Sequence, residues 1–159
     1  MIRLENSVDF QAYRLKHPIM ESKLQFASTI KLTDIEINCM DMAMHLMEQA
    51  LIRDNMAHLD IRAAVYFTDD GSLSLSFAGD QYMGMFQRVI IFPVGRWRRG
   101  NLPIGNIITV MLEELCHCFY QITDEDLVKD LVTSITQFLA PGCTRQQLYD
   151  IFEDPQDQA

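Results

Sequence analysis

Between Val110 and Tyr120 the chain reads VMLEELCHCFY, two adjacent carboxylates and one imidazole inside a run of residues that otherwise suit a core. On a helix of about 3.6 residues per turn, Glu113 and His117 lie one turn apart on the same face, and Glu114 meets His117 at a separation of three. A carboxylate and an imidazole so spaced can converge on one metal ion if a third donor arrives from elsewhere in the chain. The acids Asp124, Glu125 and Asp126 follow soon after and could fold back beside the pair. They also have an innocent reading, because a carboxylate in the first turn of a helix is stabilised by the dipole by about 0.3–1 kcal/mol. The plain reading of the trio itself is that Glu113 and Glu114 reach an arginine such as Arg88 or Arg62, while His117 makes one core hydrogen bond.

Asn106, Thr109, Glu113, His117 and Tyr120 form a polar stripe on this helix, and Ile107, Ile108, Met111, Leu112, Leu115, Cys116, Cys118 and Phe119 fill the rest of its surface. A helix so apolar is largely buried, so its stripe must face a cleft or compensating partners.

The elements that would position this helix are legible from periodicity. From Thr33 or Asp34 onward, Ile37, Met40, Met44, Met47 and Leu51 recur at three- and four-residue spacing. That pattern predicts a long amphipathic helix opened by a Thr/Asp cap and running to about Met56. Ile61 to Phe67, the turn Thr68-Asp69-Asp70-Gly71 and the alternating run Ser72 to Ala78 predict a β-hairpin. A third strand at Gln87 to Val94 contains Pro93, which marks a strand end or an edge. The sheet is expected to be small and mostly antiparallel. After an exposed loop from Gly95 to Pro103, the motif helix should run from Ile104 or Asn106 to Tyr120. Thr123 reads as the N-cap of a further helix that continues through Leu127, Val128, Leu131, Val132, Ile135 and Leu139 and ends at Pro141-Gly142. A short helix from Thr144 to Phe152 and an acidic tail close the chain. Residues 1–30 are weakly periodic, with His17-Pro18 discouraging a helix through that point, and read as an arm or a short helix.

The chain has 159 residues, enough for one domain with its own core, and no linker or repeat divides it. Thirteen Lys and Arg against 22 Asp and Glu give a net charge of −9, which weighs against an extended phosphate-binding surface, so no nucleic acid is expected. The one cationic cluster, Arg96-Trp97-Arg98-Arg99, is too small to reverse that. No stretch approaches the ~20 apolar residues that would cross a bilayer. Four cysteines without C-x-x-C spacing, behind an N-terminus with no secretion signal, point to reduced thiols in a cytoplasm.

Other constellations carry less. His45 and Glu48 make an H-x-x-E that, with Glu114 and His117, suggests a di-iron site, but the order is reversed and a sheet is out of place in a four-helix bundle. Cys116 and Cys118 point to different sides of a helix and read as core. A Cys/His nucleophile pair, joining His17, His45 or His58 to Cys39 or Cys143, has no glycine-framed cysteine behind it. Asp69-Asp70-Gly71-Ser72 lacks the further ligands of a calcium loop.

Glu113-Glu114-Leu115-Cys116-His117 resembles the H-E-x-x-H motif of the zincin metallopeptidases with its first histidine replaced by glutamate. The element order is also similar to that family's minimal core: a backing helix, a short sheet with an edge strand, the motif helix, and a helix bringing a third ligand. The nearest plan is that of the small gluzincin-like peptidases encoded by bacteria and their mobile elements, whose third ligand is an acid opening the next helix. The resemblance implies an α+β fold with a zincin-like core over residues 34–140, followed by a C-terminal helix and tail over 141–159. It implies a hydrolase that uses a divalent metal held by Glu113, His117 and Glu125, or Asp124 in place of Glu125. Glu114 would be the general base that deprotonates the attacking water, and a peptide or protein substrate would lie along the strand at Gln87–Phe92. The glutamate in place of histidine adds negative charge and hardness, which shifts preference from zinc toward manganese, iron or magnesium and makes the ion a poorer Lewis acid. An active variant, a metal-binding remnant and a metal-free relative all fit the motif. The reading from a different class is a non-catalytic interaction or accessory protein that keeps this scaffold and binds a partner through the Met-rich first long helix or the Arg-Trp loop.

Overall fold

The computed structural model describes residues 2–8, 17–77 and 87–150 and combines helices with a small parallel sheet. Strand β1 (Ile2–Leu4) is followed by helix α1 (Pro18–Lys23), strand β2 (Leu24–Ser28), helix α2 (Asp34–Arg53) and strand β3 (Ala63–Thr68). Then come strands β4 (Leu75–Phe77) and β5 (Arg88–Pro93) and helices α3 (Val94–Arg99), α4 (Ile104–Tyr120), α5 (Glu125–Thr136) and α6 (Arg145–Tyr149).

The three-stranded sheet has the order β2-β3-β5, and both pairings are parallel. This corrects the expected antiparallel sheet. The turn forms, with Gly71 at φ +92° and its N–H donated to the Thr68 hydroxyl, yet β4 pairs with β1 and not with β3. Alternation in Ser72 to Phe77 specifies a strand but no partner. All six residues of β3 are buried, as expected of a central parallel strand covered on both faces. Pro93 stands at the end of β5, where its missing N–H costs the ladder nothing.

Within residues 1–30, the described stretch from residue 17 onward forms a short helix and a strand packed into the domain. Pro18 occupies the first turn of α1, and β2 is an integral strand of the sheet. The Glu48 carboxylate, buried on α2, accepts the N–H groups of Ile19 and Met20 at 2.9 and 3.2 Å and so caps α1. Helix α2 opens with a capping box between Thr33 and Glu36, and its Met40, Met44 and Met47 are buried in the core. Those three methionines fill the interior, while Met42 on the same helix is 37 % exposed.

The expected Gly95–Pro103 loop is largely α3, because Trp97 is buried against Phe92 with ring centroids 5.7 Å apart. Arg98 forks onto Glu36 at 2.7 and 2.8 Å, and Arg99 onto Asp69 at 3.0 Å. Glycine is needed at position 95, since a methyl there would overlap the Asp69 carboxylate and carbonyl. Helix α5 begins one residue later than expected and ends sooner, at Thr136: Asp124, not Thr123, is its N-cap, accepting the Leu127 N–H at 3.0 Å. The expected last-helix residues beyond Asp150, with the acidic tail, lie outside the described residues. Among the described residues no helix is long and apolar enough to cross a membrane.

Candidate functional site

Helix α4 packs against α2, β5, α5 and α6. Leu112, Leu115, Cys116 and Phe119 are buried in these contacts, so the helix cannot rotate and its polar stripe is held in one direction. Asn106 and Thr109 on that stripe are buried, the Thr109 hydroxyl donating to the Gly105 carbonyl at 2.9 Å. Tyr120 donates to Asp54 at 2.6 Å, tying the end of α4 to the end of α2. The stripe meets the start of α5 at its other members, Glu113 and His117.

Gln121 adopts a left-handed conformation with φ 54°, which ends α4 and turns the chain back on itself. The Ile122 carbonyl thereby comes within 2.6 Å of His117 Nδ1. A carbonyl accepts only, so Nδ1 carries the proton, and in the neutral ring Nε2 keeps its lone pair. That nitrogen is 3.7 Å from Glu125 Oε1. The cap role of Asp124 leaves Glu125 as the acid of the next helix that faces His117. The ring is 25 % exposed and the Glu125 side chain 71 %, so the pair sits at a surface corner.

Glu113 is half-buried on the same corner. Burial pushes its carboxyl above the ordinary value of 4.5; Glu125 and Glu114 push the same way, while a Tyr149 hydrogen bond and Lys129 pull it back. Glu114 stands at the surface, yet the apolar helix behind it also raises its carboxyl, with Glu125 adding to that and His117 opposing it. Neither glutamate pairs with an arginine among the described residues; Arg62 is paired with Asp60 at 2.8 Å, and Arg88 lies near Cys118. The corner therefore gathers three carboxylates and an imidazole, with Lys129 as the nearby cation.

The residues meet the needs of a divalent ion in donor type and in the orientation of His117, whose second nitrogen is held by a backbone carbonyl as metal-ligating imidazoles commonly are. They do not form a finished cage: among the described residues no group of three or more His, Cys, Asp or Glu stands ready to hold an ion. Glu113 is engaged instead by Tyr149. Sequence reasoning missed Tyr149, Lys129 and the Ile122 carbonyl. Lys129 had a faint signal, one turn past Glu125. The carbonyl had none, because its place depends on the turn at Gln121.

The other constellations are spent on structure. Glu48 caps α1, and His17, bonded to Asp41 at 2.9 Å, packs on His45 with ring centroids 5.5 Å apart. Burial pushes the thiols of Cys39, Cys116 and Cys118 up, the opposite of an activated nucleophile. Asp70 accepts the Ser72 N–H at 2.9 Å and shapes the turn. No family model, curated protein or solved structure matches the chain.

Proposed function

We propose that this chain is a zincin-like, metal-dependent peptidase whose divalent ion is held by His117, Glu125 and Glu113. The observation that carries the reading is the His117 ring, fixed through Nδ1 by Ile122 with Nε2 directed at Glu125. The order β2, α2, β3, β5, α4, α5 supports it, since it supplies a backing helix, a sheet with an outer strand, a motif helix and an acid-bearing helix in that sequence.

A divalent ion in such a site supplies Lewis acidity to water and to a substrate carbonyl. The chain's own groups do the rest. Glu114, exposed beside His117 and made more basic by its apolar backing, takes the proton of the attacking water and returns it to the leaving amine. Strand β5, an outer strand among the described residues, offers its backbone to an extended peptide. Glu113 would join the ligands by giving up its Tyr149 hydrogen bond. Its charge favours manganese or iron over zinc.

The non-catalytic alternative draws on one observation, the engagement of Glu113 by Tyr149 and Lys129. Of the surfaces it would use, Met40, Met44, Met47 and Trp97 are buried, while Met42, Arg96, Arg98 and Arg99 are exposed. Elemental analysis after loading with manganese, iron or zinc should find close to one ion per chain, and His117→Ala should abolish it. Glu114→Gln should keep the metal and lose peptide hydrolysis. Wild-type protein that takes up no metal, with no thermal shift from any of the ions, overturns the reading; ligand binding at about 100 times Kd should stabilise the fold by about 2.7 kcal/mol.

A further inference from the structure

The first residues of the three parallel strands stand in register, Leu24 beside Ala63 and Ala63 beside Arg88. A cleft of about 490 Å³ opens at this end of the sheet, lined by Lys23, Arg62 and Arg88 and by the acids Glu21 and Asp60. Two of the cations are committed. Lys23 donates to the Leu59 carbonyl, and Arg62 pairs with Asp60. Arg88 is half-buried, and no carboxylate among the described residues lies within ion-pairing distance of it. A guanidinium partly withdrawn from water, with no counter-charge among the described residues, favours the arrival of an anion.

Its location gives the anion a context. Arg88 opens β5, the outer strand, and its charge reaches Cys118 in the last turn of α4. Arg88 shares the inward face of β5 with the buried Ile90 and Phe92, while Val89 and Ile91 face outward and are exposed. A chain laid along β5 would thus carry one of its groups past Arg88 on the side where α4 ends. Glu21 and Asp60 repel a doubly charged phosphate more than a single carboxylate, and a carboxylate matches the planar fork of arginine.

We propose that this cleft is a subsite for a carboxylate of a peptide lying along β5, from an acidic side chain or a free C-terminus, and that Arg88 selects it. The identity of the ligand rests on the peptidase reading above; the charge geometry of the cleft does not.

The test uses fluorescence anisotropy on the full chain in EDTA, so that binding is read without metal or turnover. One short labelled peptide carries a central glutamate and an amidated end, another is neutral with a free C-terminus, and a third is neutral and amidated. At least one of the first two should bind about tenfold more tightly than the third, and which one does so identifies the carboxylate's source. Arg88→Gln should erase the difference, and Arg88→Glu should turn the preference toward a lysine-bearing peptide, in both cases with unchanged circular dichroism. Equal affinity for all three peptides, or a preference that survives Arg88→Gln, overturns the proposal. A preference that persists in His117→Ala alongside a wild type that binds no metal would refute the metal site and leave the carboxylate subsite standing. Normal metal binding with no carboxylate preference would do the reverse.

Discussion

Glu36 on α2 and Glu113 on α4 are both glutamates drawn into the fold, and their neighbourhoods are opposite. Burial alone would raise the Glu36 carboxyl, but Arg98 and the Thr33 amide overcome it and hold it below 4.5. Glu113 has Tyr149 and Lys129 against burial and two further carboxylates, and its carboxyl ends above 4.5. One glutamate is saturated with donors and closes a helix end onto α3. The other is short of positive charge beside the His117 imidazole. The difference lies in counter-charge: Arg98 serves Glu36 directly, whereas at Glu113 two further carboxylates oppose Lys129 and Tyr149.

The largest effect that probes this contrast comes from Arg98→Ala, which leaves Glu36 without its partner while its side chain is only 7 % exposed. Urea unfolding should reveal a loss of about 2–3 kcal/mol, below the roughly 3–5 kcal/mol of a fully enclosed pair because Arg98 itself is partly solvated. A loss under about 0.5 kcal/mol would erase the distinction between the two glutamates.

A smaller effect of opposite sign is expected at Glu113. Its raised carboxyl contributes stability that is present below 4.5 and is lost as pH rises through the raised value. The lowered Glu36 carboxyl contributes stability present above 4.5 and lost as pH falls through its folded value. Glu113→Gln should therefore stabilise the metal-free chain at neutral pH by up to about 1 kcal/mol and flatten the decline above 4.5, while leaving the acid limb in place. Thermal melts across pH decide it, and a destabilised Glu113→Gln would mean that the Tyr149 and Lys129 contacts already satisfy the charge.

The smallest change is expected from Arg145→Gln. Arg145 joins α6 to Asp126 and Asp130 through exposed pairs, and its loss should leave the unfolding midpoint nearly unchanged, with any difference vanishing at high salt. A larger loss would show that α6, which brings Tyr149 onto Glu113, depends on charge more than on the burial of Tyr149.

Much of the helical scaffold is written locally. The three- and four-residue spacing of Met40, Met44, Met47 and Leu51 marks α2, and the Thr33–Glu36 capping box is visible as T-x-x-E. The apolar surface of α4, its end at Tyr120 and the shared face of Glu113 and His117 also follow from residue spacing. What was misread depends on distant partners. The Arg-Trp segment reads as a solvated loop because Arg98 meets its glutamate 62 residues away, a separation no local pattern reports.

By itself, then, the sequence determined that the long helices α2, α4 and α5 exist and which of their side chains share a face, because helix geometry relates neighbours three and four residues apart. Tertiary structure alone decided that β2 enters the sheet, that β3 lies parallel between β2 and β5, and that Tyr149 and the Ile122 carbonyl join the site. Strand pairing and the closing of a loop are settled by which distant surfaces bury each other, and each alternation of apolar and polar residues fits many partners until the whole core is packed.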